Sequence, residues 1–264
     1  MVNIIVCAKQ VLDPETPVSG LVIDEDSVSI TSRLGTPPVL NGFDENAVEA
    51  ALRIKDTNNA QVTIISIGNN FVMDVMKKPI SMGADNLVLV QGSEFENLDP
   101  FTTANVLSCA IKKIGVPDLI LCGRQASDWD NSQVPLVLAE LLDFTCLTLA
   151  QDITLESNTI NIERVIPDGY QVLESSLPAL VTVSNEFGEP RYPTLRGIMN
   201  AGKKEPEILS YNDLDIDLDE YKNNVTTLKL SIPENEQDCE FIQGVDDEES
   251  GRLLAFKLRE AGLI

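Results

Sequence analysis

The chain has 264 residues, and its 19 basic side chains against 42 acidic ones give a formal net charge of −23. So acidic a surface repels phosphates, which excludes nucleic acid and anionic membranes as favourable partners. An apolar share of 43% excludes disorder of the whole chain. The chain contains no histidine, so Ser-His-Asp triads, Cys-His dyads and His-ligated metal sites are excluded, and any redox or transfer chemistry must come from a cofactor.

The cysteines and the apolar runs indicate the cellular compartment of the protein and whether it enters a membrane. Five cysteines are scattered along the chain, and none has the spacing of a zinc or iron–sulfur site. An odd number of cysteines and the lack of a leading signal peptide predict a reducing, cytoplasmic location. No apolar stretch is long enough to cross a bilayer, so we expect no membrane insertion.

The first half of the chain alternates short β-branched runs with amphipathic segments, which is typical of βαβ units. This pattern predicts an α/β fold with a doubly wound, mostly parallel sheet. Asn3 to Ala8 is predicted as a buried strand, and residues 44–56 as a helix with acidic residues in its first turn. Further strands are predicted at 61–67, 87–91 and 118–122, with helices at 70–82, 102–114 and 133–142.

The second half becomes richer in β-structure and then more polar. We expect a nucleotide-binding α/β domain over residues 1–204 and, over 205–264, an acidic arm that ends in a docking helix. The alternating aspartates at 213–220 resemble a calcium loop, but Leu218 stands where that loop needs glycine, so no metal site is predicted. Strands are predicted at 153–155, 159–164, 170–174 and 179–183, and the last helix at 248–261.

Three segments follow predicted parallel strands, at the edge of the sheet where α/β proteins bind ligands: 7–9, 67–69 and 123–128. The third segment leads through polar residues into a helix and could direct backbone N–H groups at a diphosphate. The alternative is a polar loop in which Asp130, Asn131 or Ser132 merely caps the helix, and spacing alone does not choose between the two. Residues 41–44 could likewise line an adenine pocket, but on local grounds they are more simply a turn and a helix N-cap.

Residues 189–204 differ from the rest of the chain in charge. Between Glu189 and Glu205 every charged side chain is basic, and an apolar group lies among them. Such a ring of cations around an apolar tip is typical of a docking loop. Thr194 can cap a short helix here and Gly202 can end it, and the local sequence alone slightly favours a helix packed on its own core.

In five segments the chain resembles the β subunit of electron transfer flavoproteins, and the match covers nearly its whole length. The resemblance implies a fold like that of adenine nucleotide alpha hydrolases and a heterodimer with an α subunit, whose FAD exchanges electrons with flavin-dependent dehydrogenases. It also implies an adenine nucleotide in the β subunit, which is AMP in simple carriers and a second FAD in bifurcating members, where NADH is the electron donor and ferredoxin one acceptor. The segments are 8–11, 43–55, 82–85, 123–133 and 189–204.

The resemblance also points to particular residues. It makes 183–205 the recognition loop, with Leu195 inserted into the partner and Arg191, Arg196, Ile198 and Met199 around it. Together with the strand ends, it gives the candidate nucleotide-binding residues Cys7, Ala8, Lys9, Gln10, Asn41, Gly42, Phe43, Asp44, Ile67, Gly123, Ala126, Ser127, Asp128, Asp130, Asn131, Ser132, Gln133 and Val134.

Two departures from the family pattern affect what the resemblance implies. Val165 stands where an acidic residue commonly follows the arginine matched by Arg164, and 167–170 replaces a more acidic turn, so an interdomain salt bridge there is not carried over. The opening loop at 13–20, with Lys9 and Gln10, looks more like the bifurcating branch. We therefore expect a bifurcating β subunit holding FAD; the alternatives are a carrier subunit holding a structural AMP and, more distantly, a free-standing adenine-nucleotide sensor.

Overall fold

A computed structural model of the chain describes residues 1–24, 29–33, 35–216, 224–232 and 239–264. The chain divides into two compact units, Met1–Leu230 and Ser231–Ile264.

The strands are β1 (Val2–Cys7), β2 (Gln10–Val11), β3 (Leu21–Asp24), β4 (Ser29–Ser32), β5 (Val39–Leu40), β6 (Ala60–Gly68), β7 (Asn86–Gln91), β8 (Leu119–Gly123), β9 (Thr145–Glu156), β10 (Thr159–Ile166), β11 (Gly169–Ser176), β12 (Ala179–Val183) and β13 (Glu207–Leu209). The helices are α1 (Gly42–Thr57), α2 (Met73–Met76), α3 (Lys78–Met82), α4 (Pro100–Ile114), α5 (Val134–Leu142), α6 (Leu195–Lys203) and, in the second unit, α7 (Asp247–Glu260).

The main sheet of the first unit has the strand order β11-β10-β9-β12-β8-β1-β6-β7-β13. In the part of the sheet with the order β9-β12-β8-β1-β6-β7-β13, all neighbouring strands pair parallel. At the other end, β10 pairs antiparallel with both β9 and β11. The predicted doubly wound, mostly parallel sheet is confirmed. β1 lies in its interior, with β6 on one side and β8 on the other.

Helices cover both faces of the parallel strands. Because side chains alternate along a strand, Val6 and Ile64 pack on the side of α1, and Ile5 and Ile65 pack on the opposite side with apolar residues of α4 and α5. Both sets are buried. The short uninterrupted apolar runs in the sequence are explained by this two-sided burial.

Residues 70–82 do not form the single helix that their sequence predicts. The structure has two short helices, α2 and α3, and Pro79 lies in the first turn of α3. Proline has no N–H to donate to the preceding turn, so one continuous helix through this position is disfavoured. The sequence prediction also missed the short pairs β2–β5 and β3–β4, and β9 is longer than predicted.

The second unit contains the predicted C-terminal helix, α7. The Asp246 carboxylate caps it by accepting the Glu249 N–H at 2.8 Å, and basic residues in the last turn suit the helix dipole. No residue of α7 is buried. Of the predicted acidic segment, residues 217–220 lie outside the described residues. Within the described part of the chain, no helix is both long and apolar enough to span a bilayer.

Candidate functional site

The carboxyl ends of β1 and β8 form the switch point of the sheet. The chain leaves β1 through α1 toward β6 on one side, and it leaves β8 through α5 toward β9 on the other. Connections that diverge from neighbouring strands open a crevice at their carboxyl ends, where α/β proteins bind ligands. Cys7 and Cys122 face each other in register at this point. The predicted strand-end segments after β1 and β8 are therefore brought together.

Asp44, in the first turn of α1, bonds to both strand ends at the crevice. Its Oδ2 accepts the Lys9 N–H at 2.7 Å, and its Oδ1 accepts the Gly123 N–H at 3.0 Å. Burial raises the pKa of Asp44 to about 7, although these amide bonds, a bond from Asn41 and the charge of Lys9 act to lower it. One buried carboxyl group thus fixes the chain after β1 relative to the end of β8.

Asn41 organises the loop at 124–133 from the other side. Its Nδ2 donates to the Gln125 carbonyl at 2.8 Å, and its Oδ1 accepts the Ser127 N–H at 3.2 Å. Although Asn41 stands at the N-cap position of α1, its side chain caps no helix amide. Residues 41–44 thus do form the turn and N-cap that the local sequence favours, while the Asn41 side-chain amide holds the crevice loop.

The loop at 124–133 is also held by bonds within itself. Gln125 Nε2 donates to Asp130 Oδ1 at 2.6 Å, and the Ser132 hydroxyl donates to Gln125 Oε1 at 3.1 Å. Asp130 and Ser132 adopt left-handed backbone angles, with φ of 50° and 53°, which non-glycine residues adopt infrequently. The N-cap of α5 is Gln133, without a side-chain cap bond, so the interpretation of Asp130, Asn131 or Ser132 as a mere helix cap is wrong.

The Ser127 hydroxyl tests whether a ligand would fit this crevice. Its Oγ is buried and has no hydrogen-bond partner among the described residues. Leaving a buried hydroxyl unpaired costs about 1–3 kcal/mol, so an acceptor on a bound molecule would be favoured here. The Lys9 ammonium lies 2.6 Å from Asp128 Oδ2, at the same edge of the sheet. A phosphate-bearing nucleotide, with its many acceptor oxygens, fits this set of groups.

The remaining predicted nucleotide-binding residues lie at the strand ends, in the first turn of α1 or in the loop before α5. Among them, Gln10 is already engaged, because its Nε2 donates to the Asn70 carbonyl at 3.2 Å and its Oε1 accepts the Val72 N–H at 2.7 Å. Cys7, Ala8 and Ile67 lie at the ends of β1 and β6, Gly42 and Phe43 lie in α1, and Ala126, Asn131 and Val134 lie between β8 and the first turn of α5.

Sequence reasoning placed Arg124 and Gln125 in the strand-end segment 123–128 but gave neither side chain a role of its own. The Arg124 guanidinium lies 5.3 Å from the centre of the Phe43 ring, and its Nη1 donates to Ser184 Oγ at 3.3 Å. Their position directly after Gly123, at a strand end, was the available signal. The partners of these side chains, however, are distant in sequence.

The second predicted surface is α6 with the residues before it. Thr194 caps this helix by accepting the Gly197 N–H at 3.0 Å, as predicted, but the helix continues past Gly202 to Lys203. A Cβ at Gly197 would clash with the Ser81 carbonyl oxygen, so the α6 backbone rests directly on α3.

The outward side of α6 is apolar. Leu195 is 77% exposed, Ile198 and Met199 are more than half exposed, and Tyr192 just before the helix is 91% exposed. The expectation of a helix packed wholly on its own core is wrong for these side chains. Of the two arginines predicted at this surface, Arg196 is the sequence neighbour of Leu195. The Arg191 guanidinium instead donates to Glu49 and Asp56 of α1.

A doubly wound sheet whose switch point lies between β1 and β8 has the layout in which open α/β proteins bind ligands. Residues 29–214 match the family model described as the electron transfer flavoprotein domain. The chain is 36% identical over 250 residues to the electron transfer flavoprotein subunit beta of Thermoanaerobacterium thermosaccharolyticum, with 92% of each chain covered. The chain therefore belongs to the electron transfer flavoprotein family, as a homologue of its β subunits.

Two further relatives extend the match across the whole chain. One is the caffeyl-CoA reductase-Etf complex subunit CarD of Acetobacterium woodii, 33% identical over 270 residues, which cover 99% of this chain and 100% of that protein. The other is the electron transfer flavoprotein subunit beta of Mus musculus, 34% identical over 269 residues, with 98% of each covered. The resemblance inferred from the sequence is confirmed.

Proposed function

We propose that this chain is the β subunit of a heterodimeric electron transfer flavoprotein. It pairs with an α subunit and carries electrons between bound flavin and a flavin-dependent dehydrogenase. The observation that carries the proposal is the buried, unpaired Ser127 hydroxyl at the switch-point crevice of a chain from this family. The relatives support it, since they are named as electron transfer flavoprotein β subunits or as a subunit of a reductase-Etf complex.

The nucleotide of this crevice is FAD in our proposal, with AMP as the alternative. The Ser127 hydroxyl, the amides of the loop at 124–133 and Lys9 would hold its phosphates, and Asp44 and Asn41 would keep those groups in place. When bound, FAD supplies hydride acceptance from NADH and one-electron transfer, with ferredoxin as one acceptor and the dehydrogenase, through the α-subunit FAD, as the other. The histidine-free chain binds, orients and shields the cofactor without reacting covalently.

Counting the bound nucleotides tests the proposal directly. The chain is purified together with its α subunit, the complex is denatured, and the released nucleotides are identified by chromatography. Two FAD per heterodimer are expected. One FAD and one AMP would contradict the bifurcating function and leave a carrier subunit, whereas a heterodimer whose only nucleotide is the α-subunit FAD would overturn the assignment of the crevice.

Replacing Leu195 with alanine is expected to slow electron transfer to the partner dehydrogenase at least tenfold while the nucleotide content stays unchanged. Burying a leucine side chain at an interface contributes about 1.5–3 kcal/mol, and this exposed side chain has no other packing to lose. Stopped-flow absorbance of the flavin measures the rate. Ile208→Ala, at an exposed apolar position on β13, is the matched control. Equal rates for the two variants would remove Leu195 from the interface.

A further inference from the structure

Glu49, in the middle of α1, is a buried carboxylate with an unusually complete set of partners. Its side chain is only 6% exposed. Arg191 donates to it three times: from Nε to Oε2 at 2.7 Å, from Nη2 to Oε1 at 3.2 Å and from the backbone N–H to Oε2 at 3.1 Å. Arg53 adds a bond from Nε to Oε1 at 3.0 Å. Glu49 therefore fixes both the side chain and the backbone of Arg191.

Glu49 and Arg191 both stay ionised in this contact. Burial raises the pKa of Glu49, but the hydrogen bonds from Arg191 and Arg53 outweigh it and hold this pKa below the ordinary value. The bonds to Glu49, followed by those to Asp56, raise the pKa of Arg191. The two-point contact of a guanidinium with a carboxylate is strong and directional. Asp56 accepts from Arg191 Nη2 at 2.8 Å, but its side chain is 59% exposed, so solvent screens that contact.

The residues around Arg191 connect this pair to α6. On one side, the segment 184–191 is attached to α1 at two earlier points: Asn46 Nδ2 donates to the Ser184 carbonyl at 3.2 Å, and the Arg53 guanidinium lies 4.5 Å from the Phe187 ring centre. On the other side, α6 begins four residues after Arg191. Arg191 is therefore the residue of this segment that attaches to α1 nearest to α6, and its buried contact is the one with Glu49.

We propose that Glu49 is a positioning residue for partner docking. By fixing Arg191, it holds the segment that presents Tyr192 and Leu195 in the geometry that the dehydrogenase recognises. The proposal rests on the proposed function, because it takes α6 as the helix that contacts the dehydrogenase. It also changes the role of Arg191, which holds the loop instead of offering a free cation to the partner.

The test compares Glu49→Gln with Asp56→Asn in the purified heterodimer. Each variant replaces one carboxylate that binds Arg191 with an uncharged amide of nearly the same shape. Hydrogen–deuterium exchange is expected to rise at least tenfold at residues 191–199 in Glu49→Gln and less than twofold in Asp56→Asn. The apparent KM for the dehydrogenase rises about tenfold in Glu49→Gln, with kcat, nucleotide content and the rate of reduction of a small dye unchanged.

A second variant acts from the loop side. Arg191→Lys keeps the charge but loses the planar two-point contact, so it is expected to reproduce the faster exchange and the raised KM. Unchanged exchange at 191–199 in Glu49→Gln would overturn the proposal, as would faster exchange spread evenly over α1 and the sheet. Leu195→Ala separates the positioning role of Glu49 from the docking function of α6, because it tests docking while leaving exchange at Arg191 unchanged. If Leu195→Ala has no effect on electron transfer, the docking function fails even where Glu49 holds the loop.

Discussion

Replacing Gly123 with alanine is expected to reduce the nucleotide bound in the β-subunit crevice at least tenfold. The added Cβ would lie 2.5 Å from Asp44 Oδ1 and 2.7 Å from the backbone carbonyl carbon of Phe43. Contacts this short force the backbone to move, so the first turn of α1 must shift away from the end of β8. That shift breaks the bond between the Gly123 amide and Asp44 and disturbs the two loops that would hold the phosphates. Chromatography of nucleotides released from the purified heterodimer measures the effect.

Gly251→Ala provides the matched control for this substitution. Gly251 lies within α7, and a Cβ there would meet nothing within 4 Å, so the variant is expected to keep its full nucleotide content. The α-subunit FAD of the proposed heterodimer is the internal reference in both preparations. If Gly123→Ala folds with its second nucleotide retained, the crevice at the switch point is not the nucleotide site.

The main sheet could be predicted because short stretches of sequence specify most of its strands. β1 and α1 are each specified by a short run of residues whose apolar spacing fits one regular structure. The observed β1 spans Val2–Cys7, against a prediction of residues 3–8. The pair β3–β4 was missed because its strands are short and none of their residues is fully buried, so they carry no strong apolar pattern.

The candidate site was only partly predictable, because its bonds join residues that are far apart in sequence. Strand-end reasoning found the residues after β1 and β8, since parallel strands bring their carboxyl ends to one edge. It could not find that Asn41 bonds to the loop 84 and 86 residues away, or that Glu49 bonds to Arg191 142 residues away. Such contacts depend on where α1 packs against the sheet, which no local pattern encodes.

The heterodimer is expected to lose stability as the pH rises from about 5 to 8, and Asp44 is the group responsible in this chain. Burial raises the pKa of Asp44 to about 7 from its ordinary value of 3.8. The folded protein therefore keeps a proton that the unfolded chain has already released, so the free energy of unfolding falls with rising pH between these two values and is constant above them. At about 1.36 kcal/mol per pKa unit, the full effect is about 4 kcal/mol.

Asp44→Asn isolates this contribution from the titrations of the α subunit. The chain has no histidine, so none of its side chains has an ordinary pKa between 5 and 8. Asparagine can still accept the Gly123 N–H, but its amide turns a donor toward the Lys9 N–H, which costs about 1–3 kcal/mol. In urea denaturation at several pH values, the wild-type complex is expected to be more stable than the variant at pH 5 and to lose part of that advantage by pH 8. Parallel curves would instead mean that the bonds to Asp44 outweigh its burial, and that the crevice carries a fixed negative charge that a bound phosphate must overcome.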